Sequence, residues 1–316
     1  MNGLSHSPSR QSNLPILGVL IGSLFAIVWS GSFIAGKIAL PLSSPLWLAS
    51  GRLTGASLLL LPFVGRLAFV FWHEADLNTR LRLLSSAVLA QSFYIGSVFW
   101  ALNPLPAAFV SIIGSSLPLM SIPVAALILG ERASRSEVLI TFFAIGSVAI
   151  VILGKETAPP QDGSLSSFAI VLMLIAVLAL AVGNALLKPI ADARALMPLI
   201  TIQMIIGALV LVLAAASIEG VPHFDPSYES VFALAYLIVI GSIVGMWLWV
   251  KLLQQFTAIC ASAFFLTTPL FGIAVGYLLL DEVLTPVQWF GTAMLCLMIL
   301  VRSRLGTTAF KENQET

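Results

Sequence analysis

The chain has 316 residues, of which 59% are hydrophobic and 9% charged, with a net charge of +1. A soluble domain carries roughly 25% charged residues because its surface faces water, so this composition excludes a soluble globule and places most of the surface in lipid. No basic run points to nucleic acid, and Cys260 and Cys296 both lie inside apolar stretches, which speaks against a disulfide framework and for buried thiols.

From the N-terminus, residues 1–13 form a short, polar, Ser-rich tail. The apolar run from about Leu14 to Leu40 exceeds the ~7–15 residues of a signal-peptide core, so it reads as an uncleaved first span. A hydrocarbon core of ~30 Å needs ~20 apolar residues per helix. That ruler predicts spans near 15–39, 46–65, 83–102, 105–129, 136–154, 166–188, 197–217, 230–251, 257–280 and 286–303. The runs are continuously apolar without the alternation of barrel strands, which predicts helices. With the N-terminus in the cytoplasm, Arg10, Arg66, Arg80, Arg82, Arg132, Arg135, Lys188, Arg194, Lys251, Arg302, Arg304 and Lys311 fall on the cytoplasmic side. Only Lys155 falls opposite. This obeys the positive-inside rule for a bacterial inner membrane and predicts both termini in the cytoplasm. The outer segment from Glu219 to Glu229 contains no Lys or Arg.

Sliding the chain against itself by 151 residues superimposes Lys37 on Lys188, Pro118 on Pro269 and Glu131 on Glu282. Matched Lys, Pro and Glu at one shift are far harder to obtain by chance than matched Leu and Val, and the same shift maps the five early spans onto the five late ones. The expected organisation is a tail (1–13), a first five-helix repeat (14–155), a second (156–304) and a second tail (305–316). An odd number of spans per copy inverts the second copy in the membrane. The expected fold is therefore all-α and integral to the membrane, with ten transmembrane helices in two inverted five-helix repeats. Inverted repeats of this kind characterise secondary transporters.

The first span carries Trp29-Ser-Gly-Ser-Phe33-Ile-Ala-Gly-Lys37, and the fourth runs from Ser115-Ser-Leu-Pro118 to Leu129-Gly-Glu131-Arg132. Thr267-Thr-Pro269 through Leu280-Asp-Glu282 repeats the latter in the second half. Together these segments resemble the drug/metabolite transporter superfamily, EamA-domain type, whose first helix carries W-G-x-x-F-x-x-x-K. The resemblance covers essentially the whole chain and implies a ten-helix inverted-repeat fold that exports or exchanges amino acids, metabolites or drugs. The second half departs from the first-helix pattern, since Leu180 and Asn184 replace Trp29 and Phe33.

Read for chemistry, the candidate substrate-binding residues are Trp29, Phe33, Arg52, Gln91, Tyr94, Ser111, Ser115, Asn184, Trp247, Ser262, Phe265 and Thr268. Arg52 is the most suggestive, because an ionisable side chain inside a span costs at least ~2.5–3.5 kcal/mol if it meets lipid. Its counterpart across the repeats is the neutral Gln203. Gln91 and Tyr94 are expected on one helix face. Trp29 and Trp247 are the deeper tryptophans, whereas Trp100 and Trp249 lie near span ends, where an aromatic belt is the commoner role. Pro118 and Pro269 each remove a backbone hydrogen bond and kink their helices; the nearby hydroxyls either bind substrate or cap the kink. Lys37 and Lys188 have two readings: snorkelling to the interface at their own helix ends, or gate charges pairing with a carbonyl or carboxylate. Glu131 and Glu282 suit the N-terminus of the helix that follows each. The spacings Gly51/Gly55 and Gly241/Gly245 predict close helix packing.

Intramembrane enzymes are the rival class. No pair of membrane-embedded Asp and no H-E-x-x-H motif is present, and His6, His73 and His223 lie in loops or tails. The expected function is alternating-access transport of small amino-acid-like or amphipathic metabolites, as export by uniport or exchange, with a proton-coupled exporter as the alternative and a channel as the non-enzymatic rival. No cofactor, metal or nucleic acid is expected. The partners are a small-molecule substrate and the lipid bilayer, with a monomer or homodimer as the assembly.

Overall fold

The computed structural model describes residues 14–153, 163–192, 195–268, 271, 285–287 and 289–298, and no strand occurs among them. The first span is α1 (Leu14–Ala39), continuously apolar and ended by a 3-10 turn at Leu40–Leu42 that carries Pro41. Pro45 then opens α2 (Pro45–Glu74) at a position where its missing N–H costs nothing. The second span was expected to stop near residue 65, but α2 continues to Glu74. At ~1.5 Å per residue it outruns the hydrocarbon core. Asp76 then caps α3 (Leu77–Ser86) by accepting from Thr79 N at 3.0 Å.

Two features interrupt the helices, and each occurs in both halves. The chain winds as a π-helix over Ala87–Phe93 before continuing as α4 (Tyr94–Leu102). The other π stretch, Leu237–Val244, separates α10 (Tyr228–Tyr236) from α11 (Gly245–Gln255). Ala87 and Phe93 lie 151 residues before Ile238 and Val244, so the π stretches are repeat-equivalent. The second feature is the expected break near Pro118. What was read as one span is two helices, α5 (Ala107–Gly114) and α6 (Leu117–Leu129), joined through Ser115 and Ser116. Pro118 cannot donate to the turn before it. Ser115 and Ser116 instead turn their hydroxyls back onto Ile112 O (2.6 Å) and Ile113 O (2.7 Å). In the second half, α12 (Ala258–Ser262) tightens into a 3-10 helix at Ala263–Thr267, and Thr267 and Thr268 donate to Phe264 O and Phe265 O. Pro269 and Glu282 lie outside the described residues.

The remaining long helices are α7 (Arg135–Leu153), α8 (Gly163–Leu187) and α9 (Leu196–Ile218). Among the described residues, seven helices are long and apolar enough to cross a bilayer, and Ala258–Thr267 and Trp289–Met298 are shorter apolar helices. Phe63, Leu127 and Phe142 are among the large apolar side chains that point outward, as lipid-facing residues must.

Packing pairs the halves. The most extensive interhelix contact joins α2 to α9; α1 lies against α10 and α11, and α8 against α3 and α4. Without a hydrophobic force between helices in lipid, such contacts depend on close backbone approach. A Cβ added to Gly183 on α8 would lie 2.9 Å from Ala90 Cβ and 3.3 Å from Ser86 O in the third span. Gly183→Val should therefore lower stability by about 1–3 kcal/mol, read as a fall in melting temperature in detergent. Gly51 is a correction to the expected packing motif, because nothing lies within 4 Å of the site of its missing Cβ. Gly51→Ala should leave the melting temperature unchanged or raise it, and a large drop would show that α2 packs closely at this position.

Candidate functional site

The first half encloses a cavity of about 20 Å³ lined by Trp29, Ser32, Phe33, Arg52, Tyr94, Ile95 and Val98. Trp29, Ser32 and Phe33 share one face of α1, Arg52 reaches in from α2, and Tyr94, Ile95 and Val98 lie on one side of α4. Gly114, at the break before Pro118, completes the enclosure: a Cβ there would stand 3.2 Å from the Phe33 ring and 3.5 Å from the Tyr94 hydroxyl.

Arg52 is the one charged side chain that is buried among the described residues. It lies seven residues into α2, roughly 10 Å along the axis. Its Nε donates to Ser242 Oγ at 2.8 Å, and Ser242 in turn donates to Leu237 O at 2.8 Å across the π stretch. The arginine of one half is thus held by a hydroxyl of the other. Gly241 makes room for the junction, since a Cβ there would lie 3.3 Å from Arg52 Nη2 and 2.7 Å from Ser32 Oγ. Two more donors on the cavity wall, Trp29 Nε1 and the Tyr94 hydroxyl, are buried and face one another without a hydrogen bond of normal geometry. The indole and phenol rings stack with centroids 6.0 Å apart. Beyond Trp29 a cluster of rings continues through Phe25, Trp249 and Phe265, with centroid separations of 5.1–5.3 Å. The Trp249 indole donates to Asn184 Oδ1 at 3.0 Å.

Of the residues expected at the site, Trp29, Phe33, Arg52 and Tyr94 meet at the cavity, and Phe265 and Asn184 flank it through the ring cluster. Gln91 does not join Tyr94. The π-helical winding turns it toward the opposite half, where its amide reaches Met246 Sδ at 3.1 Å. Trp247 and Trp249 exchange their expected places. Trp247 is 38% exposed on the outer face of α11, with Lys251 Nζ 6.0 Å above its ring, while Trp249 is buried. Sequence depth does not decide this; the direction in which α11 leaves the π stretch does. Ser111 is buried without a partner, Ser262 donates to Ile259 O, and Ser115 and Thr268 bond the carbonyls of the broken turns. Ser115 and Pro118 line a second, smaller cavity of about 10 Å³. Ser32 and Trp249 were missed. Ser32 stands three residues after Trp29, and that helical spacing was available in the sequence.

The two lysines behave alike. Lys37 Nζ donates to Leu102 O (2.5 Å), Asn103 O (3.3 Å) and Leu105 O (3.1 Å), while Lys188 Nζ donates to Leu253 O (2.9 Å) and Phe256 O (2.5 Å). Leu102 and Leu105 lie 151 residues before Leu253 and Phe256. Each ammonium therefore neutralises the carbonyl end of another helix in its own half, α4 or α11, rather than that of its own helix. Glu131 also differs from expectation. It caps not α7 but α12 in the other half, accepting from Ala258 N (2.9 Å) and Ile259 N (3.2 Å), with Lys188 Nζ 4.0 Å away. Gly130, in the left-handed region at φ 68°, ends α6 and turns the carboxylate toward α12. No cluster of metal-ligating residues occurs among the described residues.

The model of the EamA-like transporter family matches the chain twice, over residues 16–153 and 167–304, and the two matches begin and end 151 residues apart. The chain belongs to the EamA-like transporter family. It is a multi-pass membrane transporter and not an enzyme. A probable amino-acid metabolite efflux pump of Salmonella typhimurium is 26% identical over 282 residues, covering 86% of this chain and 90% of its own length. Its namesake in Escherichia coli is 26% identical over 287 residues, covering 87% and 91%. A solved crystal structure superimposes with a TM-score of 0.69 over 93% of this chain and 99% of its own, at 14% identity, which shows a shared fold.

Proposed function

We propose that this transporter is a secondary exporter of small amphipathic metabolites that works by alternating access across the bacterial inner membrane, with the Arg52 cavity as its substrate seat. The observation that carries the reading is the buried Arg52 guanidinium bonded across the halves to Ser242. A cation at membrane depth is expensive to keep, and this one stands at a contact between the halves, where their rocking would change its surroundings. The similarity to proteins named amino-acid metabolite efflux pumps supports the direction of transport. Ten spans in two inverted repeats, 14–155 and 156–304, account for the paired packing, the repeat-equivalent π stretches and the matched lysine caps. The cavity holds about one water molecule, so seating a metabolite requires α1, α2 and α4 to part.

Uniport or exchange is the mode this site supports. Proton coupling uses a side chain that changes protonation beside the substrate, most often Asp, Glu or His. Among the described residues no Asp, Glu or His is buried, and Arg keeps its proton. Lys37, the other candidate proton carrier, is committed to backbone carbonyls. In proteoliposomes, substrate loaded inside should accelerate uptake of labelled substrate, and an imposed pH step without a substrate gradient should drive none. Concentrative uptake that collapses with an uncoupler would refute this. Flux without stimulation by substrate on the far side would indicate a channel. Reporter fusions at the C-terminus and within 219–229 should give opposite signals; matching signals would refute the ten-span topology.

A further inference from the structure

We infer that the Arg52 cavity selects substrates by net charge, taking amphipathic monoanionic carboxylates in preference to zwitterionic amino acids of the same size. This rests on the transporter reading above and narrows its substrate class. Two donors reach the cavity without a hydrogen bond of normal geometry, Trp29 Nε1 and the Tyr94 hydroxyl, the indole N–H facing the phenol oxygen. Arg52 adds a planar fork of N–H groups, of which Nε is engaged by Ser242. Ser32 uses its proton on Val28 O at 3.0 Å. Donors converging on one small volume call for an acceptor, and a carboxylate fits a guanidinium in charge and in plane. The rest of the wall is Phe33, Ile95, Val98 and the ring faces of Trp29 and Tyr94, which call for an apolar body.

The net charge of the ligand follows from the same inventory. No carboxylate lines the cavity among the described residues, so the Arg52 charge is balanced only when the ligand brings one. A bound monoanion leaves the site neutral. A zwitterion neutralises Arg52 with its carboxylate but adds an ammonium a few ångströms away, and the buried site again carries an uncompensated positive charge. The hydroxyl oxygens of Ser32 and Tyr94 and the ring faces offer that ammonium neutral acceptors and a weak cation–π contact, but no counter-charge. A dianion such as a phosphate monoester has the converse fault, since one guanidinium leaves a negative charge over.

The test is calorimetric binding to the purified full chain in detergent at pH 7, with probes that share a ring and differ in charge: 3-phenylpropanoate, phenylalanine and 2-phenylethylamine, together with octanoate as an aliphatic acid. The two acids should bind at least tenfold more tightly than phenylalanine, and the amine should not bind. Arg52→Gln should weaken the acids at least tenfold and erase their advantage. Trp29→Phe, which keeps the ring and removes the N–H, should weaken them several-fold. Phenylalanine binding as tightly as 3-phenylpropanoate, acids bound equally well by Arg52→Gln, or no acid binding at millimolar concentration would each overturn the inference. Counterflow separates the two proposals. Transport without charge selection would sink this inference alone, whereas selective binding without counterflow would sink the transport reading alone.

Discussion

Arg52→Met is expected to abolish transport and, at the same time, to raise the melting temperature. Burial of a guanidinium is unfavourable, and replacing buried charged groups with apolar side chains of similar volume often stabilises by about 1–4 kcal/mol. The local geometry favours that outcome. Ser242 keeps a partner when the arginine is gone, because its hydroxyl still donates to Leu237 O, so no buried donor is orphaned. Methionine fills the space with a flexible apolar chain. About 2 kcal/mol of added stability beside a loss of counterflow of at least a hundredfold would mark Arg52 as a residue kept for function against its structural cost. Retained transport, or a fall in melting temperature, would mean that Arg52 is a structural tie between the halves and that the substrate binds elsewhere.

Glu131→Ala should have the opposite signature, a loss of stability together with an opened junction between the halves. The carboxylate satisfies two N–H groups at the start of α12 and faces the Lys188 ammonium. Removing it leaves both N–H groups without that carboxylate, while Lys188 keeps its two carbonyls and loses only a nearby counter-charge. A lost helix cap costs about 0.5–2 kcal/mol, and the upper end, about 2 kcal/mol, is expected here because two N–H groups lose one carboxylate. Cys260 is the third residue of α12 and is part exposed. In a Cys296→Ser background it reports this junction directly. Its maleimide labelling should rise about tenfold in Glu131→Ala, and less in Glu131→Gln, which keeps one accepting oxygen. Unchanged labelling with an unchanged melting temperature would show that the contact is not a restraint.

The sequence carried the repeat and its punctuation but not the direction of its side chains. The shift of 151 residues was readable because Lys, Pro and Glu are rare in apolar helices, and the same residues prove to be the lysine caps and the helix break. Their partners were not readable. Lys37 and Glu131 reach helices far away in the chain, and nothing local to either residue names a distant carbonyl or N–H. The π stretches were invisible for a related reason. Their residues are ordinary helix formers such as Ala, Val, Leu and Ile, and the wide winding is imposed by packing, with Gly207 against Gln91 and Gly241 against Arg52 and Ser32. Assignments within and beyond those stretches suffered accordingly, although Tyr94 still reaches the cavity. Gln91 and Tyr94 part company, and Trp247 and Trp249 trade places, whereas Trp29, Phe33 and Arg52, on uninterrupted helices, fall where the spacing put them.

The paired π stretches also order two events in the history of the chain. A π turn accommodates an extra residue within a continuing helix, so each stretch can be read as a one-residue insertion that the surrounding turns absorbed. Ala87–Phe93 and Leu237–Val244 occupy matching places in two halves that the same family model fits, although the residues inside them have diverged. Two independent insertions at one register are a poor explanation, because each would have had to be tolerated separately in a tightly packed helix. A single insertion in an ancestral half, later copied, needs only one such accommodation. The widened turn is then older than the duplication, and a half-length ancestor already carried it when two copies had to assemble face to face.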